Sequence, residues 1–183
     1  MTLSELKTII QNYVENDETT FVSTLNDMIQ ITEDRLLELI QFDYFRKNVT
    51  GNLTTGNTYL TAPSDFKMSF SLAIIDSNND YHYLDKKHTS FMREYSNDAV
   101  ATSERGRPLY YADFDKELST AANNGSTLIV SPVPDADYTV ELHYLYEPTS
   151  LTSQTTGTWL SDNARNALIY GSLVEAYTFM KGE

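Results

Sequence analysis

Apolar residues first recur at Leu3, Leu6, Ile10, Tyr13 and Val14, the spacing of one helical face. Thr2 stands where an N-cap belongs and Glu5 follows three residues later, a capping-box pattern, so a helix is expected from Thr2 to Val14. Asn16-Asp17-Glu18 is a polar break. A longer helix is expected from about Thr20 to Ile40, with Phe21, Leu25, Met28, Ile29, Leu36 and Ile40 on its stripe and Thr32 filling the gap. Glu33, Asp34, Arg35 and Glu38 are assigned to its wet side. Two antiparallel helices joined by a short loop are the economical arrangement.

After Phe42 the period shortens. Short strands are expected at Phe45–Val49 and Thr58–Thr61, around the turn-rich run from Thr50-Gly51-Asn52 to Gly56-Asn57. Met68–Ile75 and Tyr81–Leu84 read as a hairpin across Asp76-Ser77-Asn78-Asn79-Asp80, and Lys86–Tyr95 as one or two helical turns carrying Phe91, Met92 and Tyr95. Strands return at Leu109–Phe114, at Glu117–Thr120 after a turn near Asp115-Lys116, and at Thr127–Val130 after a turn at Asn123-Asn124-Gly125. Pro132 and Pro134 stop the last of these. Tyr138–Tyr146 alternates, with Tyr138, Val140, Leu142, Tyr144 and Tyr146 on one face and Thr139, Glu141, His143 and Leu145 on the other.

A Ser/Thr/Gly-rich loop, Ser150–Thr158, leads to Trp159, which resembles a hydrophobic staple packing back near Leu168, and to a last helix through about Met180 with Asp162 as N-cap. Its stripe is expected to hold Ala164, Ala167, Leu168, Gly171, Val174 and Thr178, with Tyr170, Leu173 and Tyr177 beside it. Strands inside a helical frame make the fold class α+β. The N-terminal helices (1–44) and the loop and C-terminal helix (149–183) are expected to form a helical bundle, with 45–148 as an inserted β-rich, antiparallel region.

Composition narrows the possible functions. The 183 residues carry 26 acidic against 13 basic side chains, a net charge of −13, and no cysteine. Such a surface repels phosphate backbones and anionic lipid, which argues against specific DNA binding. Without cysteine there are no disulfides, thiolate metal sites or cysteine nucleophiles. No apolar run approaches the roughly 20 residues that span a bilayer, so no membrane association is expected, nor is a signal peptide evident at Met1.

No catalytic constellation emerges, and no enzyme, cofactor or metal site is expected. The chain lacks Gly-x-Gly-x-x-Gly, Walker A and Gly-x-Ser-x-Gly patterns, and His82, His88 and His143 show no metal-ligand spacing. Carboxylate pairs such as Asp113/Asp115 and Asp135/Asp137 are unspecific in so acidic a chain. Four residues are candidate intersubunit contacts. Arg105 and Arg107, in Arg105-Gly106-Arg107-Pro108, either pair with a neighbour's carboxylates or lie solvated on a turn. Tyr144 and Tyr146 are either an interface, where tyrosine is enriched, or half-buried sheet residues.

The order of segments is more specific than any chemical motif. Phe45-Arg46 and Tyr59-Leu60-Thr61-Ala62-Pro63-Ser64-Asp65-Phe66 are followed by Gly106-Arg107-Pro108-Leu109-Tyr110-Tyr111 and Pro132-Val133-Pro134-Asp135-Ala136-Asp137-Tyr138. Tyr144-Leu145-Tyr146-Glu147-Pro148, Thr158-Trp159-Leu160 and Glu175-Ala176-Tyr177 complete the series. Together they resemble the podovirus head-to-tail adaptor family, also called tail tubular protein A-like. The resemblance implies a virion structural protein, made in the host cytoplasm, that forms a homo-oligomeric ring, a dodecamer, between the portal protein and the tail nozzle protein. It further implies a helical bundle packed on neighbours and portal, a β-rich part that carries tail fibres in some phages, and a central channel through which DNA passes without sequence-specific binding. It also implies a C-terminal tail longer than the residues after Met180. The free subunit is expected to stay monomeric until it docks. Three other readings stay open: another neck, head-completion or tail-completion protein, a tail-associated carbohydrate-binding module or glycan hydrolase, and an unrelated soluble binding protein.

Overall fold

The computed structural model describes residues 1–40, 43–95, 102–116 and 126–181. They form two compact units: Met1–Asp43 together with Pro148–Glu183, and Tyr44–Glu147. The fold is α+β, with helices at both ends of the chain and a β-rich middle that, among the described residues, is antiparallel apart from one short parallel pair. The strand expected at Glu117–Thr120 and the turn at Asn123-Asn124-Gly125 lie outside the described residues.

In the first unit, α1 (Leu3–Val14) starts as its sequence dictates. The Thr2 hydroxyl accepts from the Glu5 N–H at 3.3 Å, and the Glu5 carboxylate accepts from the Thr2 N–H at 2.9 Å. These reciprocal bonds satisfy backbone donors that a helix start leaves open. α2 (Thr19–Leu39) buries Phe21, Leu25, Met28, Ile29 and Thr32 as its stripe requires. Glu33, assigned to the wet side, is instead buried at 3% exposure, and Ile40, assigned to the stripe, is exposed.

The C-terminal region also departs from expectation. Thr158, not Asp162, is the N-cap, and it opens a short helix, α4 (Trp159–Asn163). Trp159 therefore sits inside that helix instead of preceding it. Asp162 pairs with the Met1 ammonium at 2.6 Å. The chain breaks at Ala164 before α5 (Arg165–Met180).

α5 packs against both α1 and α2, and those two helices approach it more closely than they approach each other. Contacts of Asn16 with Met180, Phe21 with Phe179 and Thr32 with Gly171 run α2 and α5 antiparallel. The buried face of α5 holds Leu168, Ile169, Ser172, Leu173 and Ala176, so Val174 lies on the opposite side from its expected place. Gly171 is where α5 and α2 come closest: a Cβ there would collide with the Thr32 methyl. The Thr32 hydroxyl is tied to the Met28 carbonyl at 2.9 Å, so that methyl has little freedom to turn aside.

The second unit contains two four-stranded sheets. The first orders β1 (Arg46–Leu53), β8 (Tyr138–Tyr146), β3 (Phe66–Ile75) and β4 (Tyr81–Tyr83). The second orders β2 (Tyr59–Thr61), β7 (Ser126–Ser131), β6 (Tyr110–Lys116) and β5 (Asp85–Lys86). Thr50-Gly51-Asn52, expected as a turn, continues β1, and Asp115-Lys116 continues β6. The expected hairpin from β3 to β4 forms. Both sheets supply one core: Leu53, Phe66, Leu72, Ile74, Val140, Leu142 and Tyr144 from the first, and Leu60, Tyr111, Leu128 and Val130 from the second. α3 (Thr89–Tyr95) covers the second sheet's other face, where Met92 packs with Ala112 and Ile129.

β3 carries the main irregularity. Phe66, Met68, Phe70, Leu72 and Ile74 alternate, which would place all five on one face. Two bulges, between Phe66 and Met68 and between Ser69 and Ser71, shift the phase out and back again. Ser69 takes the inward position opposite Tyr144, while the Phe70 ring lies 4.1 Å from the Arg46 guanidinium and 5.6 Å from His143. The buried Ser69 hydroxyl donates to Asp113 at 2.7 Å and accepts from Lys86 at 2.8 Å, which ties the first sheet to the second.

Gly171→Ala is expected to destabilise the protein by about 1–3 kcal/mol through overpacking, although alanine is the better helix former. Adding Thr32→Ser, which removes the obstructing methyl, should recover most of the loss. Urea unfolding of the single and double variants measures both effects.

Candidate functional site

Among the described residues the three histidines lie in separate surroundings. His82 bonds the Asp76 carboxylate at 3.0 Å inside its own hairpin, His88 contacts the Ser90 hydroxyl at 2.9 Å, and His143 lies against Phe70. Among the described residues no group of three or more His, Asp or Glu could hold a metal ion. An open groove is lined by Phe66, Lys67, Asp113, Phe114, Asp115, Ser126 and Thr127. Its Asp113 carboxylate is occupied, with the Lys86 ammonium at 2.6 Å and the Ser69 hydroxyl on its other oxygen. In this Ser–Lys–Asp cluster the lysine acts only as a donor and the serine proton points at a carboxylate, so the arrangement serves as a polar clamp between strands.

The four candidate contact residues have different surroundings. Tyr144 is 3% exposed and stacks on Phe66 at 5.8 Å, with its hydroxyl donating to Asp65 at 2.9 Å. Burial and the adjacent carboxylate push that hydroxyl up to about 12. Burial also draws the Asp65 carboxyl upward, but hydrogen bonds from Lys47 and Tyr144 outweigh it and hold the group below its usual range. Tyr146 is half-buried, edge-on to Phe45 at 5.7 Å and beneath the Lys47 ammonium at 3.9 Å. The Tyr144 surface is thus consumed within its own chain, while Tyr146 keeps part of its surface.

Arg105 and Arg107 lie where three loops meet. Gly56, at φ 76°, sits in the left-handed region that favours glycine, and a Cβ there would be 3.2 Å from the Arg105 guanidinium. The Gly56 N–H donates to the Pro134 carbonyl and the Gly106 N–H to the Val133 carbonyl, both at 2.9 Å. Asp137 accepts from the Thr55 N–H at 2.7 Å and from its hydroxyl at 2.9 Å, which lowers its pKa. Arg105 is therefore half-buried against the turn, whereas Arg107 is exposed.

The helical unit holds the feature that the sequence reading missed. On the outer side of α5, Tyr170 is 59%, Val174 56% and Tyr177 46% exposed. Ala167 is exposed on the same face, and the Tyr177 hydroxyl donates to the Tyr13 carbonyl at 3.3 Å, which brings exposed Tyr13 alongside. The only carboxylate on α5, Glu175, is engaged by Arg35. A helix apolar on all sides is normally covered on all sides, and α1 and α2 cover only one side of this one. Apolar residues on more than one side of the helix were the available signal, but periodicity cannot rank two apolar faces.

Glu33 lies on the opposite side of α2 from solvent. Its carboxylate accepts from the Ser150 hydroxyl at 2.5 Å and from the Leu151 N–H at 3.1 and 3.2 Å, where the chain re-enters the helical unit. Burial raises its pKa, with these hydrogen bonds opposing.

A family model described as SU10 adaptor protein matches residues 1–183, the whole chain. No curated protein matches. No helix among the described residues is long and apolar enough to cross a membrane.

Tyr170→Gln and Val174→Gln are expected to change the stability of dilute protein by less than about 0.5 kcal/mol, as exposed substitutions do. Leu173→Gln, one residue away on the buried face, should cost several times more. Thermal unfolding of the three variants reads the difference. Glu33→Ala should lose about 2 kcal/mol or more by orphaning the Leu151 N–H and the Ser150 hydroxyl. Because the Glu33 pKa is raised, its favourable contribution is complete below the ordinary glutamate value of 4.5 and is lost as pH rises through the higher folded value. Glu33→Gln should flatten that slope in unfolding measured from pH 4 to 8.

Proposed function

The chain belongs to the SU10 adaptor protein family, and from that premise we propose that it is a head-to-tail adaptor whose copies close into a dodecameric ring between the portal and the tail nozzle. A phage adaptor is a structural component of the virion. The observation that carries the finer reading is the outer face of α5. A monomer that leaves Tyr170, Val174 and Tyr177 in water forgoes hydrophobic stabilisation that a neighbouring protein would supply. A ring meets that need with heterologous interfaces that close on themselves.

In this reading the helical unit packs on neighbours and portal. The β unit faces the nozzle and offers attachment for fibres, with Arg105, Arg107 and the free part of Tyr146 as contacts and Arg107 the most accessible. Tyr144 supports that surface from beneath. The net charge of −13 suits a channel through which DNA must slide, because acidic walls form no counterion-releasing contacts with phosphate. No bond-making step is required of the molecule.

Cryo-electron microscopy of particles carrying this chain is the test. Density for it is expected as a closed ring at the junction below the capsid vertex. A position elsewhere in the neck or tail, or a single copy bound to another protein, would sink the proposal.

A further inference from the structure

Resting on the ring reading, we propose that the outer face of α5 docks on the outer face of α2 of the next copy in the ring. Two ridges on the helical unit match in length, spacing and chemistry. On α5, Tyr170, Val174, Tyr177 and Lys181 recur at intervals of four, three and four, the outer line of the helix and its C-terminal cap. On α2, Asp27, Ile31, Asp34 and Glu38 recur at the same intervals, on the side away from its buried stripe. All eight residues are exposed. The α5 ridge is apolar and hydroxylic, ends in a cation and carries no carboxylate. The α2 ridge is acidic, with the exposed apolar Ile31 within it. At 21 residues α2 spans about 31 Å, enough to cover the roughly 24 Å of 16-residue α5.

The direction of pairing follows from the fold. α2 and α5 of one copy run antiparallel, as the pairs of Phe21 with Phe179 and Thr32 with Gly171 establish. Neighbours in a ring of about twelve copies are rotated by only about 30°, so the next copy's α2 also runs nearly antiparallel to α5. That alignment sets Lys181 against Asp27 and Tyr170 against Glu38, with Val174 and Tyr177 around Ile31 and Asp34. Tyrosine hydroxyls facing carboxylates already recur within the chain, Tyr138 donating to Asp135 at 2.6 Å and Tyr144 to Asp65 at 2.9 Å. The same face of α5 packed on itself would instead bring Lys181 and the tyrosines together with no carboxylate to receive them. That disfavours a two-fold dimer through α5.

A chain without cysteine permits a clean test, because any disulfide formed is an engineered one. Tyr170→Cys and Glu38→Cys are made separately in the full chain, mixed at high concentration and oxidised, which traps neighbours even when association is weak. A disulfide dimer is expected only in the mixture, and a ladder of higher species in the double variant. Self-dimers of Tyr170→Cys at equal yield would overturn the proposal in favour of two-fold packing. Absence of any α5–α2 disulfide in protein that light scattering shows to be associated would overturn it while leaving the ring intact. Failure to associate or cross-link at any concentration, together with a particle map lacking a ring, would remove the ring reading and this interface with it.

Charge exchange supplies a second arm. Asp27→Lys and Lys181→Glu are each expected to weaken association about three- to fivefold, the range of an exposed ion pair, and to restore it when combined. Additive weakening would overturn the pairing. Thermal unfolding of dilute protein, unchanged for these exposed positions, confirms that each variant is folded.

Discussion

The helical unit exists only if a chain that leaves it at Asp43 comes back at Pro148, and buried Glu33 receives the returning segment. One carboxylate takes the Ser150 hydroxyl and the Leu151 N–H together, in a site where burial raises its pKa and these hydrogen bonds only partly oppose the rise. A charge in that position is expensive unless its lone pairs are used, which makes the contact selective for one geometry of re-entry. With Leu151 fixed in the core, α4 and α5 follow, and α5 finds the faces of α1 and α2 that await it.

The seating of α5 decides which apolar residues stay in water. The near-contact of Gly171 with Thr32 seats it deep against α2, and Phe21 meets Phe179 at 6.2 Å farther along the same pair. That seating uses one face and leaves an equally apolar one in water. For an isolated soluble domain this is a liability; for a subunit of the proposed ring it is a surface that a neighbour can cover. Membership of an adaptor family is consistent with work done by contact.

The β unit presents a different balance. Several of its titratable side chains hold strands and loops: Lys86 and Asp113 on Ser69, Lys47 and Tyr144 on Asp65, and Asp137 on the Thr55 turn. Fixed loops at one end and a shared core between sheets suit a scaffold that carries load. Of the carboxylate pairs in this acidic chain, Asp113 and Asp137 each have such a partner.

Local signals carried much of the architecture. The capping box at Thr2 and Glu5, the stripe of α2, the hairpin from β3 to β4 and the alternation of β8 are each set by neighbours a few residues apart, so chain pattern alone determined them. The order of helices, strands and helix determined the α+β class in the same way. Tertiary structure decided the rest. The alternation along β3 would point Phe70 inward, but two bulges turn it out and put Ser69 in its place, where the hydroxyl meets Asp113 and Lys86 from the other sheet. Glu33 looked like a solvent-facing residue until a segment more than a hundred positions later supplied its donors. The burial of α5 was not legible either. Its sequence has apolar residues on more than one side, and which side is covered depends on where Thr32 admits Gly171 at close range, a fact that exists only once the two helices have met.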